Sequence, residues 1–110
     1  MSITLKQIKG AYRIIQRKIR RTELSYSYEL SKRLGCKIFI KYENRQFTGS
    51  FKIRGAYNKI LALSKEKKTR GVISLSAGNH AQGVAFCSSE IGVNSTIVMP
   101  NTTPFTKIQR

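Results

Sequence analysis

The sequence contains no tryptophan, no aspartate and one histidine, and its only acidic residues are five glutamates. This scarcity argues against hydrolysis by paired acids and against metal catalysis with hard ligands, and no Ser/His/Asp set or His/Cys cluster can be assembled. The two cysteines, Cys36 and Cys87, lie far apart and outside a CxxC spacing. They indicate reduced thiols in a cytosolic protein rather than a disulfide or a metal site.

Long apolar runs are also missing. No stretch reaches the roughly 18 apolar residues that a membrane span needs, and residues 1–21 lack the uninterrupted apolar segment of a secretory signal. An apolar fraction of 40% nevertheless argues against disorder. We therefore expect a cytoplasmic protein with one domain and a modest core, and no membrane partner.

The charge that is present is strongly basic. Lysine and arginine total 21, which gives a net charge of +16 and would ordinarily suggest a nucleic acid or an anionic surface as partner. The distribution argues against nucleic acid, because the basic clusters 17–21 and 65–70 fall where helices are expected to end. No zinc finger, RNP pattern or helix-turn-helix signature accompanies them. A small basic nucleic-acid-binding protein is kept as the alternative hypothesis.

Apolar spacing predicts alternating helices and strands. Thr4 can cap the first helix, and Gly35 and Gly92 are typical of helix ends. The predicted segments are helices over 4–19 and 27–34, a strand over 37–42, a helix from about 51, a strand over 71–76, a helix over 79–91, a strand over 95–99 and the start of a helix at Pro104. This order is typical of an α/β layer with parallel strands. Because the last helix begins close to Arg110, we expect full-length relatives to continue.

The stretch SLSAGNHAQG leaves an apolar strand, turns through Ser76, Ala77 and Gly78, and enters a helix at Asn79. Small residues at such a turn let backbone N–H groups approach a ligand, and the helix dipole favours a carboxylate or phosphate there. An ordinary turn capped by Asn79 fits the spacing equally well. A lone histidine such as His80 is more often structural than catalytic.

The stretch TGSFKIRG presents Lys52 in one of the less polar parts of the chain. A lysine can act as a Schiff-base nucleophile when burial or a nearby cation favours its neutral amine. Phe51 and Ile53 would provide the apolar setting, and Arg54 the cation. On physical grounds alone, a surface lysine in the first turn of a helix is the simpler interpretation.

Taken together, three ordered stretches closely resemble the N-terminal part of the threonine dehydratase (threonine ammonia-lyase) and serine racemase family. They are KYENRQFTGSFKIRGAYNKI, SAGNHAQGVA and TIVMPNTTPFTKIQR, and the resemblance runs from about Arg21 to Arg110. It implies pyridoxal 5'-phosphate as cofactor and the tryptophan-synthase-β fold, known as fold type II. Residues 1–110 would then be an N-terminal segment of the catalytic domain, a truncated three-layer α/β sandwich with parallel strands and flanking helices.

The resemblance also implies roles for individual residues. Lys52 matches the lysine that holds the cofactor as a Schiff base, Phe51 the aromatic residue packed on its pyridine ring, and Asn79 the asparagine bonded to the ring hydroxyl. The loop that receives the substrate carboxylate is matched by Ser76, Ala77, Gly78, Asn79 and His80. The implied substrates are threonine and serine, and the implied full-length relatives are homo-oligomers.

The implied reaction is the deamination of L-threonine to 2-oxobutanoate and ammonia, or of serine to pyruvate, with Lys52 taking the α-proton. Racemases of this family use a second acid/base serine in the asparagine loop, and Ala77 stands at that position. The resemblance therefore favours a dehydratase over a racemase.

The family holds the cofactor phosphate in a glycine-rich loop, and the pyridine nitrogen with a serine or cysteine, both downstream of the matched segment. Neither is found in these 110 residues. We therefore expect the chain alone to bind the cofactor poorly and to have little dehydratase activity. A non-catalytic remnant, or a module that pairs with a separately encoded second half, is the further alternative.

Overall fold

Helices and short strands alternate along residues 2–109, the part of the chain that the computed structural model describes. The helices are α1 (Leu5–Ile15), α2 (Tyr28–Leu34), α3 (Lys52–Leu61), α4 (Lys65–Arg70), α5 (Asn79–Ile91) and α6 (Phe105–Ile108). The strands are β1 (Leu24–Tyr26), β2 (Phe39–Lys41), β3 (Val72–Leu75) and β4 (Ser95–Val98), and one turn of 3₁₀ helix spans Glu43–Arg45. The predicted α/β alternation is confirmed.

Local signals set several helix ends where they were predicted. Thr4 caps α1 in a capping box with Gln7, in which each residue's side chain accepts from the other's backbone N–H. Gly35 and Gly92 end α2 and α5 in the left-handed conformation, with φ of 66° and 72°. Glycine adopts this conformation without the steric penalty of a side chain. Both helices therefore end at these glycines, as predicted.

Three segments differ from the prediction. Helix α1 ends at Ile15, four residues early, although Ile19 is still buried in the core. The cluster at 65–70 forms a helix of its own, α4, because the Ser64 side chain accepts a hydrogen bond from the Lys67 N–H at 3.3 Å. Strand β1 was not predicted, since its three residues depend on pairing with β2 rather than on a local pattern.

The four strands form two separate pairs. Strands β3 and β4 are parallel, with Val72 opposite Ser95 and Leu75 opposite Val98. Strand β2, which we expected in the same parallel layer, instead pairs antiparallel with β1. The parallel α/β arrangement therefore holds for β3, α5 and β4, and the β1–β2 pair lies outside it.

The core lies where α3 crosses α5. The predicted apolar face of α3 is confirmed, because Ile53, Ala56, Tyr57 and Ile60 are all buried. The buried apolar residues that complete the cluster are Ile15, Ile19, Val84, Cys87 and Val93. Burial of this cluster fixes the two helices against each other.

The two faces of the β3–β4 pair differ in burial. Val72 and Ile97 pack against the core beneath α5, whereas Ile73 and Leu75, on the opposite face, are each 79% exposed. Within residues 2–109 that second face has no covering layer. None of the helices described in this range is long and apolar enough to cross a membrane.

Candidate functional site

Lys52 is the first residue of α3. Its backbone N–H donates to the hydroxyl of the buried Ser50 at 3.4 Å, and the preceding Phe51 supplies no side-chain cap. The Lys52 side chain is exposed, and its Nζ lies 5.3 Å from the centroid of the Phe51 ring, which is 60% exposed. An amine and an aromatic face are thus presented side by side at the helix start.

The loop of Ser76, Ala77 and Gly78 leads from β3 into α5. Gly78 precedes the helix in an extended conformation, and its N–H donates to the Ser76 hydroxyl at 3.3 Å. The first intrahelical hydrogen bond runs from the Gln82 N–H to the Gly78 carbonyl. The N–H groups of Asn79 and His80 therefore have no intrahelical acceptor. The side chains of Asn79 and His80 are exposed. Gly78, not Asn79, is the N-cap of α5, and no side chain caps the helix. Binding of an anion at this helix start stays a prediction.

Gly83 brings these two elements together. A Cβ at this position would lie 3.3 Å from the Lys52 carbonyl carbon and 3.3 Å from the Ile53 nitrogen, closer than most side chains allow. Gly83 is one helical turn after Asn79 and so shares its face of α5. The first turn of α3 therefore rests against α5 one helical turn from the residue at which α5 begins, so the backbone of Lys52 lies near the asparagine loop.

Arg54 does not act as the free cation that the sequence suggested. Its guanidinium donates two hydrogen bonds to the Glu43 carboxylate, Nε at 2.8 Å and Nη2 at 2.7 Å. Both side chains are largely buried, 26% and 14% exposed. The Arg54 hydrogen bonds hold the pKa of Glu43 below its ordinary value, despite an opposing contribution from burial, and the same bonds raise the pKa of Arg54. The pair neutralises itself, and it anchors α3 to the 3₁₀ turn.

The expected apolar setting around Lys52 is also not formed by residues 2–109. Ile53 is fully buried and points into the core, where its carbonyl accepts a weak hydrogen bond from the Cys87 thiol at 3.6 Å. Phe51 and Lys52 face outward. Ile53 is the first residue of the buried face of α3, which recurs with helical spacing, so the two residues before it lie on the exposed side.

Sequence reasoning missed three contributors to the site. Gly83 carried a detectable signal, since a glycine inside a helical pattern costs stability and points to a packing constraint. Ser50 carried none. The Glu43–Arg54 pair carried none, because its partners are joined by tertiary structure rather than by helical spacing.

The chain also carries two thiols, which are nucleophilic groups and differ in exposure. Burial raises the pKa of the Cys87 thiol to about 12, which keeps it protonated at neutral pH. Cys36 is a free, exposed thiol. Residues 2–109 contain no group of three or more His, Cys or Glu side chains placed to hold a metal ion.

Comparison with known proteins adds an independent finding. Residues 15–110 match the model of the family described as pyridoxal-phosphate dependent enzyme. The chain is 54% identical over 108 residues to the L-threonine ammonia-lyase of Thermotoga maritima, and 50% identical over 106 residues to the catabolic L-threonine dehydratase TdcB of Staphylococcus aureus N315. These alignments cover 98% and 96% of the chain.

Among solved structures, the fold is similar to that of maize serine racemase, with a TM-score of 0.90 and 36% identity over 99% of the chain. The chain spans 27% and 31% of the length of the two curated relatives, and 33% of the racemase chain. The likeness therefore concerns about a quarter to a third of each relative.

Proposed function

This chain belongs to the family of pyridoxal-phosphate dependent enzymes, and from that premise we propose that it carries the cofactor-binding lysine of a threonine dehydratase. The observation that carries the proposal is the exposed Lys52 at the start of α3, held by Gly83 against the helix that begins at Asn79. The proposed reaction converts L-threonine to 2-oxobutanoate and ammonia. Relatives named for threonine, at 54% and 50% identity, favour it over serine as substrate.

The side chains present fit the cofactor's chemistry. Lys52 offers an exposed amine for the aldehyde group, with which it would form a Schiff base. The exposed ring of Phe51 offers an apolar face for the pyridine ring, and the Asn79 amide a hydrogen bond for the ring hydroxyl. When bound, pyridoxal phosphate supplies an electron sink that makes the α-proton of an amino acid acidic.

The chain's own residues would then bind the substrate and move the proton. The free N–H groups of Asn79 and His80 would bind the substrate carboxylate together with the Ser76 hydroxyl, which the hydrogen bond from the Gly78 N–H positions. Once the substrate amine has replaced it at the cofactor, the Lys52 amine would take the α-proton at Nζ, and one proton would leave with the β-hydroxyl as water. Ala77 has no titratable group, so position 77, where racemases of the family carry a serine, offers no second acid/base for proton delivery to the opposite face. That absence at position 77 favours dehydration over racemisation.

We further propose that the 110-residue chain by itself binds the cofactor weakly and turns over little threonine. Its sequence contains no glycine-rich phosphate loop, and it spans 27% of the Thermotoga relative. Ile73 and Leu75 leave one face of the parallel pair open among the described residues. A phosphate bound at few points would dissociate readily.

The proposal is tested by trapping. The chain is incubated with pyridoxal phosphate, reduced with borohydride, digested, and analysed by mass spectrometry to locate the modified lysines. We expect Lys52 to be modified faster than any other lysine, and Lys52→Ala to remove that adduct selectively. Lys59→Ala, which removes another exposed lysine of α3, is the matched control and should leave Lys52 labelling unchanged.

Equal labelling of all exposed lysines would contradict the assignment of Lys52. Activity is measured separately, as 2-oxobutanoate released from threonine by the purified chain. Rapid, Lys52-dependent turnover would overturn the proposal of low activity while supporting the proposed chemistry.

A further inference from the structure

A groove lies between α3, α4 and β3, one to three helical turns along α3 from Lys52. Its volume is about 480 Å³, which is within the range of roughly 300–1,000 Å³ typical of small-molecule sites. Apolar side chains form its floor: Ala56, Ile60, Leu63, Val72 and Val84. Four exposed basic side chains line it: Lys59, Lys67, Arg70 and His80.

The positive charge in this groove is uncompensated. No carboxylate is among its lining residues, and within residues 2–109 none of the four basic side chains takes part in an ion pair. Their neighbour Lys68 is engaged elsewhere, since its Nζ donates to the Leu61 carbonyl at 2.9 Å. The groove therefore concentrates cations around an apolar floor, which favours an anionic occupant.

Ser74 adds a second, independent observation. The residue is only 7% exposed and lines the groove, and its hydroxyl is buried without a hydrogen-bond partner. Buried hydroxyl groups are nearly always paired, so an unpaired one needs an explanation. A ligand oxygen entering the groove would supply the missing partner.

We propose that this groove binds a small organic anion with a short apolar body, whose carboxylate or phosphate is held by Lys67, Arg70 and the Ser74 hydroxyl. The apolar body would lie along Ile60 and Leu63. Arginine and serine together match the oxygen geometry of both head groups. The groove meets the candidate site only at His80, and Lys52 does not line it. The proposal does not depend on the chemistry assigned to Lys52.

The probes are hexyl phosphate, hexanoate and the neutral hexanol, added to the isotopically labelled chain while amide NMR shifts are followed. We expect both anions to shift the amide signals of residues 67–74. The dissociation constants from these titrations should be at least about tenfold lower for the anions than for hexanol, because hydrogen bonds to charged groups stabilise more than neutral ones. Comparing the two anions distinguishes a phosphate site from a carboxylate site. No shift with either anion, or equal affinity for hexanol, would overturn the proposal.

Charge variants localise the effect. Lys67→Gln combined with Arg70→Gln should weaken binding of the preferred anion about tenfold. The matched control, Lys9→Gln with Arg13→Gln, removes the same charge from the exposed face of α1 outside the groove. It should change the affinity less than twofold at 0.15 M salt, where distant charges are screened. An equal loss of affinity in both double variants would show that anion binding depends on overall charge alone, and would refute a specific site in the groove.

Ser74→Ala separates a ligand role from a structural one. Because the hydroxyl makes no hydrogen bond in the structure, its removal should leave the melting temperature unchanged or higher. Binding of the preferred anion should nevertheless weaken severalfold. An unchanged affinity would show that Ser74 does not contact the ligand.

Discussion

The α3–α5 junction and the outer face of the β3–β4 pair are built from similar apolar residues but differ in what surrounds them. At the junction Ile53 is 0% and Tyr57 1% exposed, and Gly83 lets the two helix backbones approach closely. On the outer face Ile73 and Leu75 are each 79% exposed. The first region is thus closed by contacts within residues 2–109, and the second is not.

This difference shows which part of the site the chain specifies by itself. The relative position of Lys52 and Asn79 depends on the α3–α5 junction, which is formed by contacts within residues 2–109. Parallel sheets are normally covered on both faces, and one face is open among the described residues. We therefore expect substitutions at the junction to change stability strongly, and substitutions on the open face to change it little.

The largest contrast should come from one substitution made in both regions. Ile53→Ala removes a fully buried side chain, and its loss should lower the free energy of unfolding by about 2–5 kcal/mol. Ile73→Ala, on the open face, should change it by no more than about 0.5 kcal/mol. Urea denaturation followed by circular dichroism measures both.

A large loss for Ile73→Ala would mean that the outer face is covered, for example by self-association. Repeating the denaturation at several protein concentrations distinguishes that case, because only an associating protein has a concentration-dependent midpoint.

An intermediate contrast is expected between two ion pairs. Glu43→Gln weakens the largely buried bonds to Arg54 and should lower the free energy of unfolding by about 1.5–3 kcal/mol at pH 7. Glu23→Gln breaks an exposed pair with Arg45, whose side chains are 56% and 64% exposed, and should change it by less than about 1 kcal/mol.

The Glu43–Arg54 pair also predicts that the stability of the chain depends on pH. The pKa of Glu43 lies below its ordinary 4.5 in the folded chain, so its contribution to stability is present above about pH 4.5 and is lost as the pH falls through the lower folded value. Glu43→Gln should therefore flatten the acid limb of the stability curve. An unchanged acid limb would show that other groups control it.

The smallest contrast concerns two helical glycines. Gly55→Ala meets nothing within 4 Å, so it should stabilise the chain by up to about 1 kcal/mol through helix propensity. Gly83→Ala would bring its Cβ to 3.3 Å from the Lys52 backbone, which should cancel that gain and displace the first turn of α3. Thermal denaturation compares the two variants, and an equal gain for Gly83→Ala would mean that the junction has room to relax.

The sequence predicted the parts of the fold that local signals determine. Helix α5 starts at Asn79 and ends at Ile91 as expected, because a small-residue turn precedes it and Gly92 follows it. The buried face of α3 was also predicted, since its spacing is helical. The roles of Lys52 and Asn79 came from resemblance to a family and stay predictions.

What the sequence did not predict depends on tertiary contacts. The β1–β2 pair joins Leu24 to Lys41, and the Glu43–Arg54 pair joins the 3₁₀ turn to α3. Neither distance in sequence matches a helical or hairpin spacing. For the same reason Arg54 was assigned to Lys52 as a free cation, although its charge is neutralised by Glu43.

The open face of β3 has a consequence for the behaviour of the polypeptide in solution. Ile73 and Leu75 lie on a strand whose outer edge is unpaired among the described residues, an arrangement that promotes self-association. Mutual repulsion between molecules of net charge +16 opposes that tendency. Because added salt screens the repulsion without weakening the apolar attraction, colloidal stability of the chain should be greatest at low ionic strength.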